Sequence, residues 1–418
     1  MDFFRFLMSD VLSEPAVLVG LIALIGLIAQ KKPVTECIKG TVKTIMGFVI
    51  LGAGAGLVVS SLGDIANIFQ HAFGIQGVVP NNEAIVSVAQ KSFGKEMAMI
   101  MFFAIVINIM IARFTPWKFI FLTGHHTLFM SMMVAVILAT AGMTGVTLIA
   151  VGSLVVGVAM VFFPAIAHPY MKKVTGSDDV AIGHFSTLSY VLAGFIGSKF
   201  GNKEHSTEDM NVPKSLLFLR DTPVAISFTM SIIFLVTCLF AGADAVKELS
   251  GGKNWFMFSI MQSITFAAGV YIILQGVRMV IAEIVPAFKG ISDKLVPNAR
   301  PALDCPVVFP YAPNAVLVGF LSSFAAGLIG MFTLYLLNMI VIIPGVVPHF
   351  FVGAAAGVFG NATGGRRGAI LGAFAQGLLI TFLPVFLLPV LGDIGFANTT
   401  FSDADFGALG ILLGIIVR

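Results

Sequence analysis

The chain has 418 residues, of which 11% are charged and 58% are hydrophobic, and its mean hydropathy is +1.00. Soluble domains carry about 25% charged residues, so a soluble fold is excluded. The net charge of +3, without any basic tract, gives no support for nucleic-acid binding. The three cysteines, Cys37, Cys238 and Cys305, form no C-x-x-C pair and predict neither a disulfide framework nor a zinc site.

Apolar blocks along the chain predict an all-α polytopic membrane protein with about ten or eleven transmembrane helices, since about 20 apolar residues cross the hydrocarbon layer. Charge-free runs such as Met97–Ala112 show none of the alternation of a membrane strand. A last block, Phe406–Val417, is too short to span unless it is tilted. The predicted helices cover 14–30, 41–62, 97–113, 126–142, 144–167, 222–242, 257–285, 314–337, 338–360 and 367–391.

The distribution of Lys and Arg predicts the orientation, because cytoplasmic loops carry an excess of both residues. With the N-terminus outside, most of the 24 Lys and Arg face the cytoplasm. The stretch 169–213, which contains Lys172, Lys173, Lys199 and Lys203, is therefore expected on the cytoplasmic side.

Two semi-polar stretches, 64–96 and 286–313, resemble each other and predict an internal repeat. Val79-Pro80-Asn81 matches Val296-Pro297-Asn298 at a distance of 217 positions, whereas Phe48 upstream matches Tyr271 at 223 positions. An odd number of predicted spans separates the two copies, so they are expected to be inverted relative to each other. Inverted repeats with broken or re-entrant helices are typical of alternating-access transporters.

Histidines at breaks between apolar helices are the first candidate site residues, because polar groups at membrane depth are costly. His125 and His126 follow Gly124, and His184 follows Gly183. The glycines would let the backbone approach an anionic or polyhydroxyl ligand near a helix N-terminus. The alternative interpretation is that each histidine caps a helix end at the membrane interface.

Carboxylates in the two repeat-related stretches are the second set of candidates. Glu83 and Asp304 could meet from opposite sides at the midplane and share a proton, so that one of them donates a hydrogen bond to an anionic ligand. The alternatives are that Glu83 caps the helix beginning near Ala84 and that Asp304 pairs with Arg300 in water. Arg278 is interpreted as a structural or interfacial side chain. No catalytic residue, cofactor or metal site is predicted.

Taken together, these motifs resemble the membrane C component of the L-ascorbate phosphotransferase system. The resemblance covers Lys39 to Gly392. The most specific segments are KGTVKTIMGF at 39–48, LTGH at 122–125, IGH at 182–184, QGVRM at 275–279, DC at 304–305, YAPNAV at 311–316 and IIPG at 342–345.

The resemblance implies inward transport of L-ascorbate or a related sugar acid by an elevator-type movement in a bacterial inner membrane. It also implies a homodimer surrounded by membrane lipid, with a soluble B subunit that phosphorylates the substrate and an A subunit upstream. An ion-coupled secondary transporter of an organic anion is the alternative function.

The family also implies a V-shaped scaffold, a mobile core and a set of ligand contacts. The implied ranges are scaffold helices at 14–62, core at 63–200, a cytoplasmic loop and scaffold helices at 201–285, and core with the C-terminal helix at 286–418. The contacts implied by the family are His125, His184 and Asp304, with the backbone near Pro348 close by. Three positions depart from the pattern expected of the family. Glutamines closely follow the two histidines in the family, whereas here Phe185 follows His184 directly and Phe129 stands four positions after His125. Glu83 stands where an aromatic residue is expected. The full candidate site is Glu83, Gly124, His125, His126, Gly183, His184, Phe185, Asp304 and Pro348.

Overall fold

The computed structural model describes residues 15–74, 77–210, 215, 218–219, 221–392 and 399–417, and these residues are mostly helical. The α-helices are α1 Pro15–Ala29, α2 Val34–Phe73, α3 Asn82–Phe114, α4 Gly124–Thr140, α5 Gly145–Thr175, α6 Thr187–Phe200, α7 Thr222–Ala241, α8 Ala243–Leu249, α9 Trp255–Leu295, α10 Pro313–Leu336, α11 Val346–Leu391 and α12 Ala404–Val417. The short strands are β1 Gly77–Pro80, β2 Phe119–Phe121, β3 Ala181–Ile182, β4 Arg300–Leu303, β5 Val341–Ile342 and β6 Thr399–Thr400.

The prediction of an all-α polytopic membrane protein is confirmed. Among the described residues, six helices are long and apolar enough to cross a membrane, and α4 and α12 are shorter apolar helices. Arg5, Lys214, Arg220 and Arg418, four of the 24 Lys and Arg residues, lie outside the described residues.

Two predicted helix boundaries are wrong for local chemical reasons. The semi-polar stretch 64–96 is largely helical, because α3 begins at Asn82, where the Asn81 side chain accepts a hydrogen bond from Ala84 N at 2.7 Å. The predicted helix 338–360 contains strand β5 and begins only at Val346, after Pro344 and Gly345.

The helices pack in two groups. The first group is α1, α2, α7 and α9, which contact one another. The second group is α3 to α6 and α10 to α12, which surround the strands. The implied scaffold and core ranges stay predictions.

The six strands form two three-stranded parallel sheets that combine both halves of the chain. Strand β1 lies between β5 and β6, and β4 lies between β2 and β3. Gly77 pairs with Val341 as Arg300 pairs with Phe119, and Val79 pairs with Thr399 as Ala302 pairs with Ala181. Each half therefore inserts its first strand between the second and third strands of the other half.

This shared register corrects the repeat alignment. Gly77 and Arg300 occupy the same place in their sheets and lie 223 positions apart. Val79 therefore corresponds to Ala302, and its match with Val296 is wrong. The match between Phe48 and Tyr271 has the correct offset.

The predicted cytoplasmic stretch 169–213 is only partly a surface segment. Strand β3 is buried, and on helix α6 the side chains of Thr187 and Tyr190 are fully buried. The exposed parts lie around 176–180 and 201–205. The stretch is therefore exposed only in part, because its hydroxyl-bearing residues pack against α11 and α12. Its location on the cytoplasmic side stays a prediction.

Asp178 joins this surface segment to the start of β4. Its carboxylate lies 2.7 Å from His168 Nε2, 3.0 Å from Lys172 Nζ and 2.6 Å from Arg300 Nη2. The hydrogen bonds from His168, Lys172 and Arg300 hold the pKa of the Asp178 carboxyl well below its usual range. Arg300 therefore pairs with Asp178, and the expectation that it pairs with Asp304 is wrong.

Glycines bring α10 and α11 into backbone contact. A Cβ atom on Gly319 would lie 2.3 Å from Gly353 O, and one on Gly357 would lie 2.4 Å from Ala315 O. Small residues at such positions let membrane helices approach closely and pack by van der Waals contact.

We expect Gly319→Ala to lower the free energy of unfolding by about 1–3 kcal/mol, because the added methyl group forces two backbones apart. The measurement is the thermal melting midpoint of the purified protein in detergent. Gly56→Ala on α2 is the matched control, because a Cβ there would meet nothing within 4 Å. Equal midpoints for wild type and Gly319→Ala would contradict the tight helix contact.

Candidate functional site

A cavity of about 200 Å³ lies between the two sheets and is lined mainly by residues that follow the six strands. Further lining residues are Phe129, Phe351, Val352 and, from the first helix group, Arg278. The residues after the strands are Asn82 and Glu83 after β1, His125 and His126 after β2, His184 after β3, Asp304, Cys305 and Pro306 after β4, Val347 and Pro348 after β5, and Ser402 and Asp403 after β6.

Parallel strand pairing explains this convergence. All three strands of a parallel sheet end at the same edge, so the residues after them meet there. The hydrogen bonds continue past the strands, because Gly183 N donates to Leu303 O at 2.7 Å and Ile343 N donates to Val78 O at 2.8 Å. The positions of the cavity residues are therefore set by the backbone of both halves.

Asp304 lies between two imidazoles. His125 Nε2 is 3.5 Å from Asp304 Oδ2, and His184 Nε2 is 3.8 Å from Asp304 Oδ1. Asp304 also accepts a hydrogen bond from Cys305 N at 2.7 Å and caps the 3₁₀ helix Cys305–Tyr311. The carboxylate is therefore fixed by the backbone while its oxygens face the two histidines.

Hydrogen bonds to the Nδ1 atoms of His126 and His184 favour one tautomer of each ring. Phe185 N donates to His126 Nδ1 at 3.2 Å, so the neutral ring carries its hydrogen on Nε2. Tyr190 Oη lies 2.8 Å from His184 Nδ1. Because an ionised Asp304 can only accept, the favourable arrangement has Tyr190 donating to Nδ1 and the His184 Nε2–H directed at the carboxylate.

The second sheet contributes a separate polar pair at the cavity. Asn82 Nδ2 donates to Asp403 Oδ2 at 2.6 Å, and Ser402 N donates to Asn82 Oδ1 at 2.9 Å. The Ser402 Oγ atom is buried and has no hydrogen-bond partner among the described residues. Asn82 therefore links the end of β1 to the end of β6.

Asp405 connects the N-terminal ends of α12 and α6. Its fully buried carboxylate accepts from Thr187 N and Leu188 N, each at 2.8 Å, at the N-terminus of α6. Asp405 N donates in turn to Phe185 O at 3.2 Å. This reciprocal capping holds the His184 segment against α12.

Three sets of cavity side chains place possible metal-ligand atoms within 4.8 Å of one another: His125, His126 and Asp304; His126, His184 and Asp403; and His184, Asp304 and Cys305. The hydrogen bond from Phe185 leaves His126 with a donor on Nε2. A metal ion bound there would have to displace that hydrogen. The observed bonding pattern therefore favours hydrogen-bond donation by His126.

Six of the nine residues in the candidate site lie on the cavity wall, namely Glu83, His125, His126, His184, Asp304 and Pro348. Gly124, Gly183 and Phe185 do not line it. A Cβ on Gly183 would lie 2.4 Å from Ala302 O, so this glycine allows the close approach of β3 to β4. Phe185 is buried and stacks on Phe121 at 4.6 Å.

Sequence reasoning missed Asn82, Ser402 and Asp403, and it gave Arg278 only a structural role. The available signal was the group of polar residues Thr400, Ser402, Asp403 and Asp405 directly before the last apolar block. The same signal, a polar residue at the break before an apolar helix, indicates His125 and His184.

A helical membrane protein with a cavity lined by polar and charged side chains has the architecture of a solute permease. A family model described as the sugar-specific permease component of the phosphotransferase system (PTS), EIIC-GAT, matches residues 10–405, and the chain belongs to this family. The chain is also similar to a protein of Mycoplasma pneumoniae described as the ascorbate-specific PTS system EIIC component. The two are 28% identical over 460 residues, which cover 96% of this chain and 67% of the relative.

We expect Asp405→Ala to destabilise the protein by about 1–3 kcal/mol for each of the two α6 amides that lose their buried acceptor. The thermal midpoint in detergent measures this loss. Asp405→Asn should recover part of it, because one amide oxygen still accepts. Asp244→Ala, at an exposed position of α8, is the control. A midpoint for Asp405→Ala equal to that of the control would disprove the capping role.

Proposed function

We propose that the protein carries L-ascorbate or a related sugar acid inward across the bacterial cytoplasmic membrane for phosphorylation by the B subunit of its phosphotransferase system. The observation that carries this proposal is the arrangement of Asp304 between His125 and His184 on the wall of the cavity. In this proposal the chain acts as a homodimer, and its second helix group moves with the substrate relative to the first.

The chemistry of the cavity suits a ligand rich in hydroxyl groups. Imidazole Nε2–H groups donate to ligand oxygens, and the carboxylates of Asp304 and Asp403 accept from ligand hydroxyls. Phe129 and Pro348 provide apolar contacts for the face of a planar ring. The description of the Mycoplasma relative supports ascorbate as the first substrate to test.

Arg278 supports an anionic ligand. It is an exposed residue on α9 that lines the cavity from the first helix group, whereas the other lining residues belong to the second group or its connections. A guanidinium group attracts a sugar-acid anion and offsets the neighbouring carboxylates. Movement of the second group away from α9 would remove this attraction and favour release.

Phosphoryl transfer is assigned to the partner subunit and not to this chain. Cys37, Cys238 and Cys305 are all buried. Cys305, which lines the cavity, directs its Sγ to Phe351 O at 3.8 Å. A buried thiol is a poor nucleophile, so the phosphoryl group is proposed to arrive on a soluble protein.

Uptake of labelled ascorbate by cells that carry this chain, with and without its A and B partner subunits, tests the function. We expect accumulation of a phosphorylated product only when the partners are present. Accumulation of unmodified ascorbate without partners, driven by a proton or sodium gradient, would instead establish the ion-coupled alternative. In that case Glu83, Asp304 and Asp403 would be the residues to examine.

Two substitutions separate hydrogen bonding from charge in ligand binding. Asp304→Asn should weaken ascorbate binding by the purified protein about tenfold or more, because a charge-assisted acceptor is lost. Arg278→Gln should weaken binding less and should flatten its salt dependence, because the long-range attraction that salt screens is lost with the guanidinium charge. Isothermal titration at two salt concentrations measures both effects.

His205→Ala and Arg367→Gln are the matched controls, since both residues are exposed and lie outside the cavity. Unchanged affinity in Asp304→Asn would remove Asp304 from the binding site. A salt dependence in Arg278→Gln equal to that of wild type would remove the proposed role of Arg278.

The orientation with the N-terminus outside predicts a labelling pattern. A cysteine at Glu204, in an exposed segment beside Lys203, should react with an impermeant maleimide only from the cytoplasmic side. A cysteine at Asp244 should react from outside. The three native cysteines are buried and give a low background. The reverse pattern would overturn the orientation.

A further inference from the structure

A second and larger cavity, of about 520 Å³, lies between the two helix groups. Helices α2 and α7 of the first group form one side of it, and α10 with the residues after β5 forms the other. Phe73 on α2 and Phe240 on α7 both line it, with ring centroids 5.5 Å apart. We call this space the interhelical crevice.

The interior of the interhelical crevice offers almost no hydrogen-bonding groups. Among the lining side chains that the structure describes, only Thr237 and Tyr335 are polar. Thr237 Oγ1 already donates to Ile233 O at 2.8 Å. Tyr335 lies near the C-terminal end of α10, and its side chain is 48% exposed. An occupant of the interior must therefore be apolar.

The crevice opens towards hydrocarbon and not towards water. Pro223–Ala241 and Pro313–Leu336 are both candidate membrane spans, and the crevice lies between their C-terminal halves. Ile232, Val236 and Phe332 line it and are 46–60% exposed in the part of the chain that the structure describes. At this depth the surrounding solvent is lipid acyl chains.

We propose that an acyl chain of a membrane phospholipid occupies the interhelical crevice. The cavity volume is within the usual range for small-molecule sites of about 300–1,000 Å³, and its apolar lining matches a single hydrocarbon chain. The polar headgroup remains at the membrane surface near Tyr335, because aromatic residues with one polar end favour that level. With the N-terminus outside, this surface is the outer one.

The position of the acyl chain links it to the polar cavity. Ile343 and Pro344 line the crevice, and the segment that follows them continues to Val347 and Pro348 on the cavity wall. A Cβ on Gly345 would lie 2.3 Å from Pro80 O, so this segment is tightly held against β1. The bound chain therefore packs directly behind one wall of the polar cavity and fills the space between the two helix groups.

Photocrosslinking in vesicles tests the site. The purified protein is placed in phosphatidylethanolamine and phosphatidylglycerol vesicles that contain phosphatidylglycerol with a diazirine at the end of one acyl chain. We expect irradiation to label peptides of α7 and α10 around Val236 and Phe332 in preference to other lipid-facing helices. Val236→Trp, which fills the crevice, should reduce this labelling severalfold.

Val224→Trp is the matched control, because Val224 is 44% exposed on the same helix, compared with 46% for Val236, but does not line the crevice. Ile232→Trp is a second filling variant, and unchanged melting midpoints confirm that each variant is folded. Equal labelling of Val236→Trp and Val224→Trp, or labelling spread evenly over all spans, would overturn the proposal. A covalent crosslink between two copies through Val236→Cys would also overturn it, because a second protomer would then fill the crevice.

Discussion

The exchange of strands between the two halves of the chain is the constraint on which the site depends. Strand β4 completes the sheet of β2 and β3, and β1 completes the sheet of β5 and β6. Neither half can satisfy its own strand backbones or form the cavity alone, and unpaired backbone groups at membrane depth are costly. The polar site is therefore a product of the same pairing that holds the second helix group together.

The two sheets have the same register but different chemistry. Asn81 and Asp304 occupy equivalent positions after β1 and β4, and each caps the helix that follows it. One sheet ends in His125, His126, His184 and Asp304, which together form a donor and acceptor set. The other ends in Glu83, Ser402 and Asp403. A symmetric backbone thus supports an asymmetric site, with the histidines on only one side of it.

Properties of single segments were readable from the sequence. Hydropathy predicted most spans, and the cost of polar groups at membrane depth indicated His125, His184 and Asp304 before their contacts were known. The pairing of β1 with β6 was not readable, because it joins residues more than 300 positions apart through strands of two to four residues. Asp403 was missed for this reason, and the repeat was misaligned because similar Val-Pro-Asn triplets do not occupy equivalent strand positions.

Three carboxylates at or near the cavity are balanced in part by groups within the protein, and this balance limits what a ligand can contact. Asp403 has Asn82, Asp405 has the α6 amides, and Asp304 has two imidazoles. The groups that can contact a ligand include donors, namely the His126 Nε2–H and the Arg278 guanidinium, and acceptors, namely the carboxylates of Glu83 and Asp304. Such a mixed set suits a ligand rich in oxygen atoms and hydroxyl groups over an apolar solute. Arg278 is the one Lys or Arg side chain among the described lining residues, so the preference for a sugar acid over a neutral sugar depends on how far the neighbouring carboxylates offset its charge.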